Sequence, residues 1–549
     1  MKILQKHLLS RINKELKIES LSDSLFQLGH EHEIDNNLLN MELTPNRGDC
    51  LSVLGLLRDL NSIHDANLEF DIFNKEIKKL ELDFVNNVPN ACPEISFLKI
   101  EIVENSINEY CDYLEEYFLN TKASKNNFFA DVSNYISYEL GQPTHCYDFL
   151  KIDGELVLDK INESKEFLTL LDTKIKLTGT NYVFSDSTGI VNLAGIMGGK
   201  STSCNKKTNI ALIECAYFLP EILIGKSIKY DLNSDAAYKF ERGVDPLSHN
   251  FVLRRFIQIV KDHAQIKNLE ISLSDGKSFI PHHIEIDVNK INSILAINLT
   301  EQKYLNHLHK LGFKIKNQIE APSHRNDIHN HNDLSEEIAR VIGYNNLPVS
   351  KINLPNAKFT SSTKLEYSIK DFLVSHGFHE VINSPFTKNN LCNAVTVDNP
   401  LDSNRKYLRT NINESLLNNL NFNEKRQKES IKLFEITDIY TKDDLSGSSK
   451  ILGIIASGRQ GDNFEDFSKK IDKNYLESIL YNLSKKTDFN VTEVSRENID
   501  TKIKRPIFFV EIDLKSIAND VEIKEIKSMP LFKSYKYTPI SEYPSSYRD

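Results

Sequence analysis

Apolar residues along the chain fall into helical and strand-like patterns that differ sharply. Leu334, Ile338 and Ile342 recur at i, i+4 and i+8 and predict a helix over 333–342. Gly343 and then Pro348 predict its stop. Leu305, Leu308 and Leu311 predict a helix over 301–311, ended by Gly312, with that stripe as core. Ile3, Leu8 and Ile12 predict an opening helix. A further helix is expected over 50–60, after the turn signal Pro45-Asn46 and with Asp49 as N-cap. By contrast, Ala211-Leu212-Ile213-Glu214-Cys215-Ala216 is a short continuous apolar run and reads as a buried strand. The acid inside that run must be paired or aimed into a polar pocket, and Arg242 is a candidate partner. The stretch 64–93 is charged and irregular and reads as a linker.

Length and charge narrow the picture. The 549 residues predict three or four domains at about 100–200 residues each. With 40% hydrophobic and 26% charged residues, a packed soluble protein is expected. The formal net charge of −10 argues against a protein that coats nucleic acid over its whole surface. The seven cysteines are odd in number and form no CxxC, so a disulfide framework or zinc site is not expected, and a reducing cytoplasm fits. No apolar run is long enough to span a bilayer. The N-terminal stretch is interrupted by charges, unlike a signal peptide.

Candidate chemistry concentrates in the segment APSHRNDIHNHNDLSEEIARVIGYNNLP, residues 321–348. Asp333, Glu336 and Glu337 lie at i, i+3 and i+4 on one helical edge, with Asp327 just upstream. Hard oxygen ligands so spaced suit Mg²⁺. The same spacing is also that of a capping box whose acids complement a helix dipole. His324, His329 and His331 fit no standard zinc pattern. Three other patches stand out: DVSNYISYELGQPTHCYDF at 131–149, GIVNLAGIMGGKSTSC at 189–204 and NSDAAYKFERGVDP at 233–246. Gly195, Gly198 and Gly199 suit a backbone approached by a ligand, or ordinary tight turns.

These segments resemble the beta subunit of bacterial-type phenylalanyl-tRNA synthetase. Residues 321–348 are similar to that family's PSWRxDI…DLxEExARxxGYxxIP signature, with His324 in place of the usual Trp. MELTPNRGDCLSVLGLLRDL is close to TPNRxDCLSxxGxARE. The resemblance implies a Mg²⁺ site at Asp327, Asp333, Glu336 and Glu337, close to an alpha subunit. It also implies an editing domain that hydrolyses tyrosine wrongly esterified to the phenylalanine tRNA. Its pocket would hold Ser133, Asn134, His145, Gly198, Glu214, Ser234 and Ala236. An apolar synthetic site rejects an added hydroxyl poorly, so a second, hydrolytic site is useful. Glu214 would accept the phenol, and phenylalanine would leave that acid unpaired. His145 and Asn134 would orient water or the ester carbonyl, with Ser133, Gly198, Ser234 and Ala236 lining the substrate. No Ser-His-Asp arrangement is evident, so direct attack by water is expected.

The fold expected is α+β and multidomain. An N-terminal unit spans 1–63, without the family's tRNA-binding barrel near residue 36, and the linker 64–93 follows. A mixed editing domain covers 94–275. A small helix-rich domain, akin to nucleic-acid-binding folds, covers 278–350 and carries the acids. A class II synthetase-like module with an antiparallel sheet covers 356–532, with Arg409 in a packing or interface role. Residues 533–549 read as the start of a truncated anticodon-binding domain. The implied assembly is an α₂β₂ tetramer in the cytoplasm, with tRNA(Phe) and ATP as substrates of the assembled enzyme. Two alternatives remain: a free-standing deacylase of mischarged tRNA, and an inactive tRNA-binding paralogue.

Overall fold

A computed structural model describes residues 1–232, 234–349, 361–497 and 503–518, without the side chains of 361, 362 and 444–449. The expected start of an anticodon-binding domain at 533–549 lies outside the described residues, as do 356–360, 498–502 and 519–532 of the class II-like module. The chain divides into two compact units, Met1–Lys351 and Ile352–Asp549.

The first unit opens differently from its helical pattern. Lys2–Leu4 is a strand, Gln5–Leu9 is a short helix, and Ile12 bridges to Ala66. Pairing of Lys2–Leu4 with Asn40–Leu38 supplies backbone partners that the local helical pattern does not anticipate. Strands Glu31–Asp35 and Leu38–Glu42 form a hairpin across Asn36-Asn37, with Asn36 at φ 53°. Two turn residues join the strands, so no barrel is inserted here. The next helix is Val53–Leu60, and Ser52, rather than Asp49, caps it by accepting from the Gly55 N–H. Asp49 instead takes both arms of Arg47 at 2.9 Å.

Two five-stranded sheets follow. The first runs Lys78–Lys79, Ile266–Ser272, Glu94–Ile102, Ile210–Tyr217 and Thr144–Asp148. The second runs Met197–Gly198, Gly189–Leu193, Asn181–Asp186, Leu156–Ile161 and Phe84–Asn86. The expected linker 64–93 therefore gives a short edge strand to each sheet. Both pair in parallel, Lys78–Lys79 with the strand Ile266–Ser272 and Phe84–Asn86 with Leu156–Ile161. Lys78–Lys79 is two charged residues and Phe84–Asn86 only three residues long, too short for either to show a strand-like pattern.

Strand Ile210–Tyr217 is buried on both faces. Its period of two sends Ala211, Ile213 and Cys215 into a core shared with the long helices Phe128–Leu140 and His249–His263. Leu212 and Ala216 enter a different core, with Phe97, Tyr147, Phe184 and Leu193, between the two sheets. Glu214 lies on that second face.

Residues 283–344 fold as three short strands with helices Val288–Leu295, Glu301–Lys310 and His331–Ile342. Of the expected stripe, Leu308 and Leu311 are buried and Leu305 is half-buried against the same core, while Tyr304, outside the stripe, is fully buried. Helix His331–Ile342 begins two residues before the predicted start. Its capping box is Asn330 with Asp333, not Asp333 with Glu336. Gly343, at φ 91°, ends it.

Buried ions fasten this helix to the N-terminal segment. Asp59 receives Arg47 at 2.9 Å, Arg340 at 2.7 Å and His30 at 2.8 Å. Arg340 also pairs with Glu337, and Glu337 takes Arg325 at 2.7 Å. Arg325 in turn grips Asp327 with both arms. The arginines hold Asp59 well below the usual carboxylate range and Glu337 down to about 2, against the burial that opposes ionisation.

The second unit has a five-stranded sheet: His379–Glu380, Ser430–Thr441, Asp444–Gly458, Ile507–Asp513 and Thr492–Glu493. It is antiparallel except for the parallel edge pair His379–Glu380 with Leu433–Phe434. One face packs Ile454 and Phe508 with helices Ser361–Ser375 and Lys473–Leu483, the other Ile455 and Phe509 with helix Asn413–Glu424. Arg409 is buried beside Glu435 at 3.1 Å, which fits its expected packing role.

Removing one partner of a buried ion network strands the others. Asp59→Ala should destabilise the chain by about 3–5 kcal/mol in urea unfolding at pH 7. Glu337 has a depressed folded value, so its contribution is present above pH 4.5 and is lost as pH falls towards 2. A Glu337→Gln variant should be less stable than wild type at pH 7 and should differ from it progressively less between pH 4 and 2.

Candidate active site

Glu214 sits where the two sheets face each other. On one side its strand pairs with Thr144–Asp148, where Glu214 lies opposite His145. The carboxylate is buried. Its Oε2 accepts from the Tyr147 hydroxyl at 2.6 Å and from Asn192 Nδ2 at 3.2 Å. The Asn192 amide, from the second sheet, also donates to Tyr147 Oη at 2.9 Å. Burial pushes the Glu214 carboxyl up to about 7, although both donors pull it down. A small change in surroundings thus decides whether this acid is charged near neutral pH.

Arg242, the candidate partner of Glu214, is elsewhere. It lies beyond helix Asp235–Phe240 with its guanidinium 3.5 Å from the centre of the Tyr238 ring. Tyr147 and Asn192 carry the role instead. Tyr147 was signalled only by its place two residues after His145, and Asn192 by a polar residue in an apolar strand.

His145 packs edge-on against Tyr147, ring centres 4.4 Å apart. Its Nε2 is buried without a hydrogen-bond partner. Burial lowers its value to about 4, so the imidazole is neutral at pH 7 and its ring nitrogen can accept a proton. Gly198 makes room for it: a Cβ there would stand 2.2 Å from His145 Cε1. Ser133 donates to the Thr144 carbonyl at 2.7 Å and so braces the residue next to His145. Ser234 caps helix Asp235–Phe240 and donates to the Ile196 carbonyl at 2.6 Å, two residues from Gly198, and Ala236 packs against the between-sheet core.

Asn134 is set apart from this group. Successive helical residues diverge by about 100°, and Asn134 is exposed where Ser133 is buried. It lines a cavity of about 540 Å³ with Ser137, Tyr138, Asp235, Tyr238 and Lys239. The structure therefore sets His145 against Gly198 and opposite Glu214 in paired strands, adds Tyr147 and Asn192, places Ser133, Ser234 and Ala236 around them, and turns Asn134 to a cavity that none of them lines.

The four acids at 327–337 do not surround a common point in this arrangement. Asp327 takes Arg325 on both oxygens and Asn46 at 3.1 Å. Glu337 is spanned by two arginines. Asp333 Oδ2 accepts the His329 and Asn330 N–H groups, and Glu336 is exposed. Among the described residues, the one group of three His, Cys, Asp or Glu ligand atoms close enough to share an ion is His30, Cys50 and Asp59. Arg47 and Arg340 already neutralise Asp59 there.

Comparison with known proteins matches three domains in order. Residues 91–265 match the B3/4 domain, 284–344 the tRNA synthetase B5 domain, and 347–514 the phenylalanyl tRNA synthetase beta chain CLM domain. Two of the three are by description parts of aminoacyl-tRNA synthetases. More narrowly, the chain is similar to phenylalanyl-tRNA synthetase beta chains. It is 29% identical over 428 residues to a phenylalanine–tRNA ligase beta subunit of Psychrobacter arcticus, covering 73% of this chain and 53% of that one. It is 29% identical over 569 residues to the corresponding subunit of Carboxydothermus hydrogenoformans, covering 94% of this chain and 70% of that one. The chain thus spans about half of the first relative and about two thirds of the second.

The raised value of Glu214 has a measurable consequence. An acid whose folded value lies above its unfolded 4.5 favours the folded state most below pH 4.5, and that contribution is lost as pH rises through about 7. Stability should fall by on the order of 3 kcal/mol across this window, at about 1.4 kcal/mol per pH unit. Glu214→Gln, which keeps the shape without the charge, should flatten the slope in denaturant unfolding between pH 5 and 8.

Proposed function

We propose that the chain is the beta subunit of a phenylalanine–tRNA ligase and that its between-sheet site hydrolyses tyrosine misattached to tRNA(Phe). The observation that carries this reading is the hydrogen bond from a phenol to the sealed carboxylate of Glu214. A pocket built so can reward a hydroxyl and penalise its absence, which is the discrimination an apolar synthetic site cannot supply. In this reading His145, opposite Glu214 in the strand pair and with an unpartnered ring nitrogen, would orient the attacking water or the ester carbonyl. Gly198 keeps that ring seated, while Ser133, Ser234 and Ala236 shape the wall. Asn134 lines a cavity that contains none of these residues and takes no part in this reading.

In this reading an alpha subunit activates phenylalanine with ATP in the cytoplasm. The present chain joins it in an α₂β₂ tetramer, binds tRNA(Phe), and contributes a class II-like sheet as scaffold. None of the described helices is long and apolar enough to cross a membrane. The full four-acid set does not fit Mg²⁺, because Arg325 and Arg340 occupy the oxygens of Asp327 and Glu337. Glu336 and the second oxygen of Asp333 are not taken by these arginines and would be the groups to hold an ion that keeps most of its waters. Bound there, Mg²⁺ would offset phosphate charge at the subunit boundary.

Glu214→Ala should let tyrosyl-tRNA(Phe) accumulate by about ten-fold or more, with phenylalanyl-tRNA synthesis by the co-expressed subunits unchanged. Equal loss of both activities would make Glu214 a structural residue and overturn the editing role. Co-purification as a tetramer supports the subunit reading, whereas a monomer with deacylase activity supports a free-standing hydrolase.

A further inference from the structure

The acceptor that the proposed reaction requires is already engaged by the chain itself. Tyr147 is fully buried, and its hydroxyl stands 2.6 Å from Glu214 Oε2. Asn192 holds both groups from the opposite sheet, 2.9 Å from the phenol and 3.2 Å from the carboxylate. The Tyr147 ring is wedged between His145 and Phe184, at centroid distances of 4.4 and 6.4 Å. Its ring contacts with His145 and Phe184 ask only for an aromatic ring, whereas the hydroxyl bonds Glu214 and Asn192. The hydroxyl therefore serves the carboxylate.

We propose that Tyr147 is a built-in competitor for the substrate's phenol: its hydroxyl occupies Glu214, and a misattached tyrosine engages that carboxylate only by displacing it. This inference rests on the editing reading above. Its physical basis is the cost of an unpaired buried carboxylate. With the site empty, Glu214 would lack a strong donor, and Tyr147 supplies one. A tyrosyl ester exchanges one phenol–carboxylate bond for another, so little net binding energy is gained. A phenylalanyl ester that pushed Tyr147 aside would leave Glu214 with Asn192 alone, so phenylalanine is kept out. Tyr147 thus lowers affinity for the correct target of hydrolysis while protecting the correctly charged tRNA. It raises the threshold for both esters alike, and the discrimination between them stays with Glu214.

The test compares Tyr147→Phe with wild type in hydrolysis of tyrosyl-tRNA(Phe) and phenylalanyl-tRNA(Phe), using the full chain co-expressed with an alpha subunit. Removing the hydroxyl while keeping the ring should lower KM for the tyrosyl ester about three- to ten-fold, the size expected for one hydrogen bond. kcat should be unchanged, and KM for the phenylalanyl ester, which no longer has to displace that hydroxyl, should fall by a similar factor of about three to ten. A merely structural role would instead lower kcat or raise KM. An unchanged or higher KM in a folded variant would overturn the proposal, whether or not the wild-type chain turns over slowly.

If Tyr147→Phe does not fold, the wild-type chain decides the matter by crystallography with a non-hydrolysable 3′-tyrosylamino-adenosine. Displacement of Tyr147 Oη from Glu214 supports the proposal, and an unmoved Tyr147 refutes it. Glu214→Ala in the same assay separates the two ideas. If it abolishes tyrosyl-ester hydrolysis while Tyr147→Phe changes nothing, editing stands and the competitor role falls. If it leaves hydrolysis intact, both fall.

Discussion

A carboxylate enclosed between two sheets must find donors inside the protein, because water cannot reach it. That requirement organises the first unit around Glu214. Period-two alternation fixes which way Glu214 faces, since its neighbours Ile213 and Cys215 belong to the opposite core. Antiparallel pairing then brings His145 opposite Glu214 and leaves Tyr147 two positions along the same strand. The second sheet contributes Asn192, and the tight approach at Gly198 admits the His145 ring. None of these groups would be held in place by its own local sequence.

The same rule, applied to arginine as well as acid, explains the segment at 321–348. Four carboxylates in eleven positions look like a ligand set when read along one helix. In three dimensions the helix packs on the N-terminal segment, and Arg47, Arg325 and Arg340 arrive among the acids. Asp59 and Glu337 then share cations and have low affinity for protons. A guanidinium is planar and matches a carboxylate with two parallel hydrogen bonds. Burial makes that arrangement a fastening between distant stretches of chain, with residues 281 apart in sequence joined directly.

Several elements were legible because their determinants are local. The helix His331–Ile342, its stop at Gly343 and the core stripe of Glu301–Lys310 follow from spacing and from one residue that tolerates positive φ. The strand around Glu214 followed from an apolar run too short for a helix. The opening helix failed where Lys2–Leu4 found a partner strand at Leu38–Asn40. The cap of Val53–Leu60 passed from Asp49 to Ser52 because Arg47 claimed the aspartate. The supposed linker became two edge strands, since pairing with an existing sheet needs little intrinsic preference.

Sequence alone determined the helix His331–Ile342, the core stripe of Glu301–Lys310 and the buried strand that carries Glu214, while the grouping of His145, Gly198 and Glu214 came only with the family resemblance. The first three are properties of short-range periodicity, which a chain carries whatever its surroundings. Only the tertiary structure decided which donors meet Glu214, that Asn134 faces a separate cavity, and that arginines span Asp327 and Glu337. Those outcomes depend on contacts between segments far apart in the chain, and the energy of a buried charge is set by the groups that fold against it.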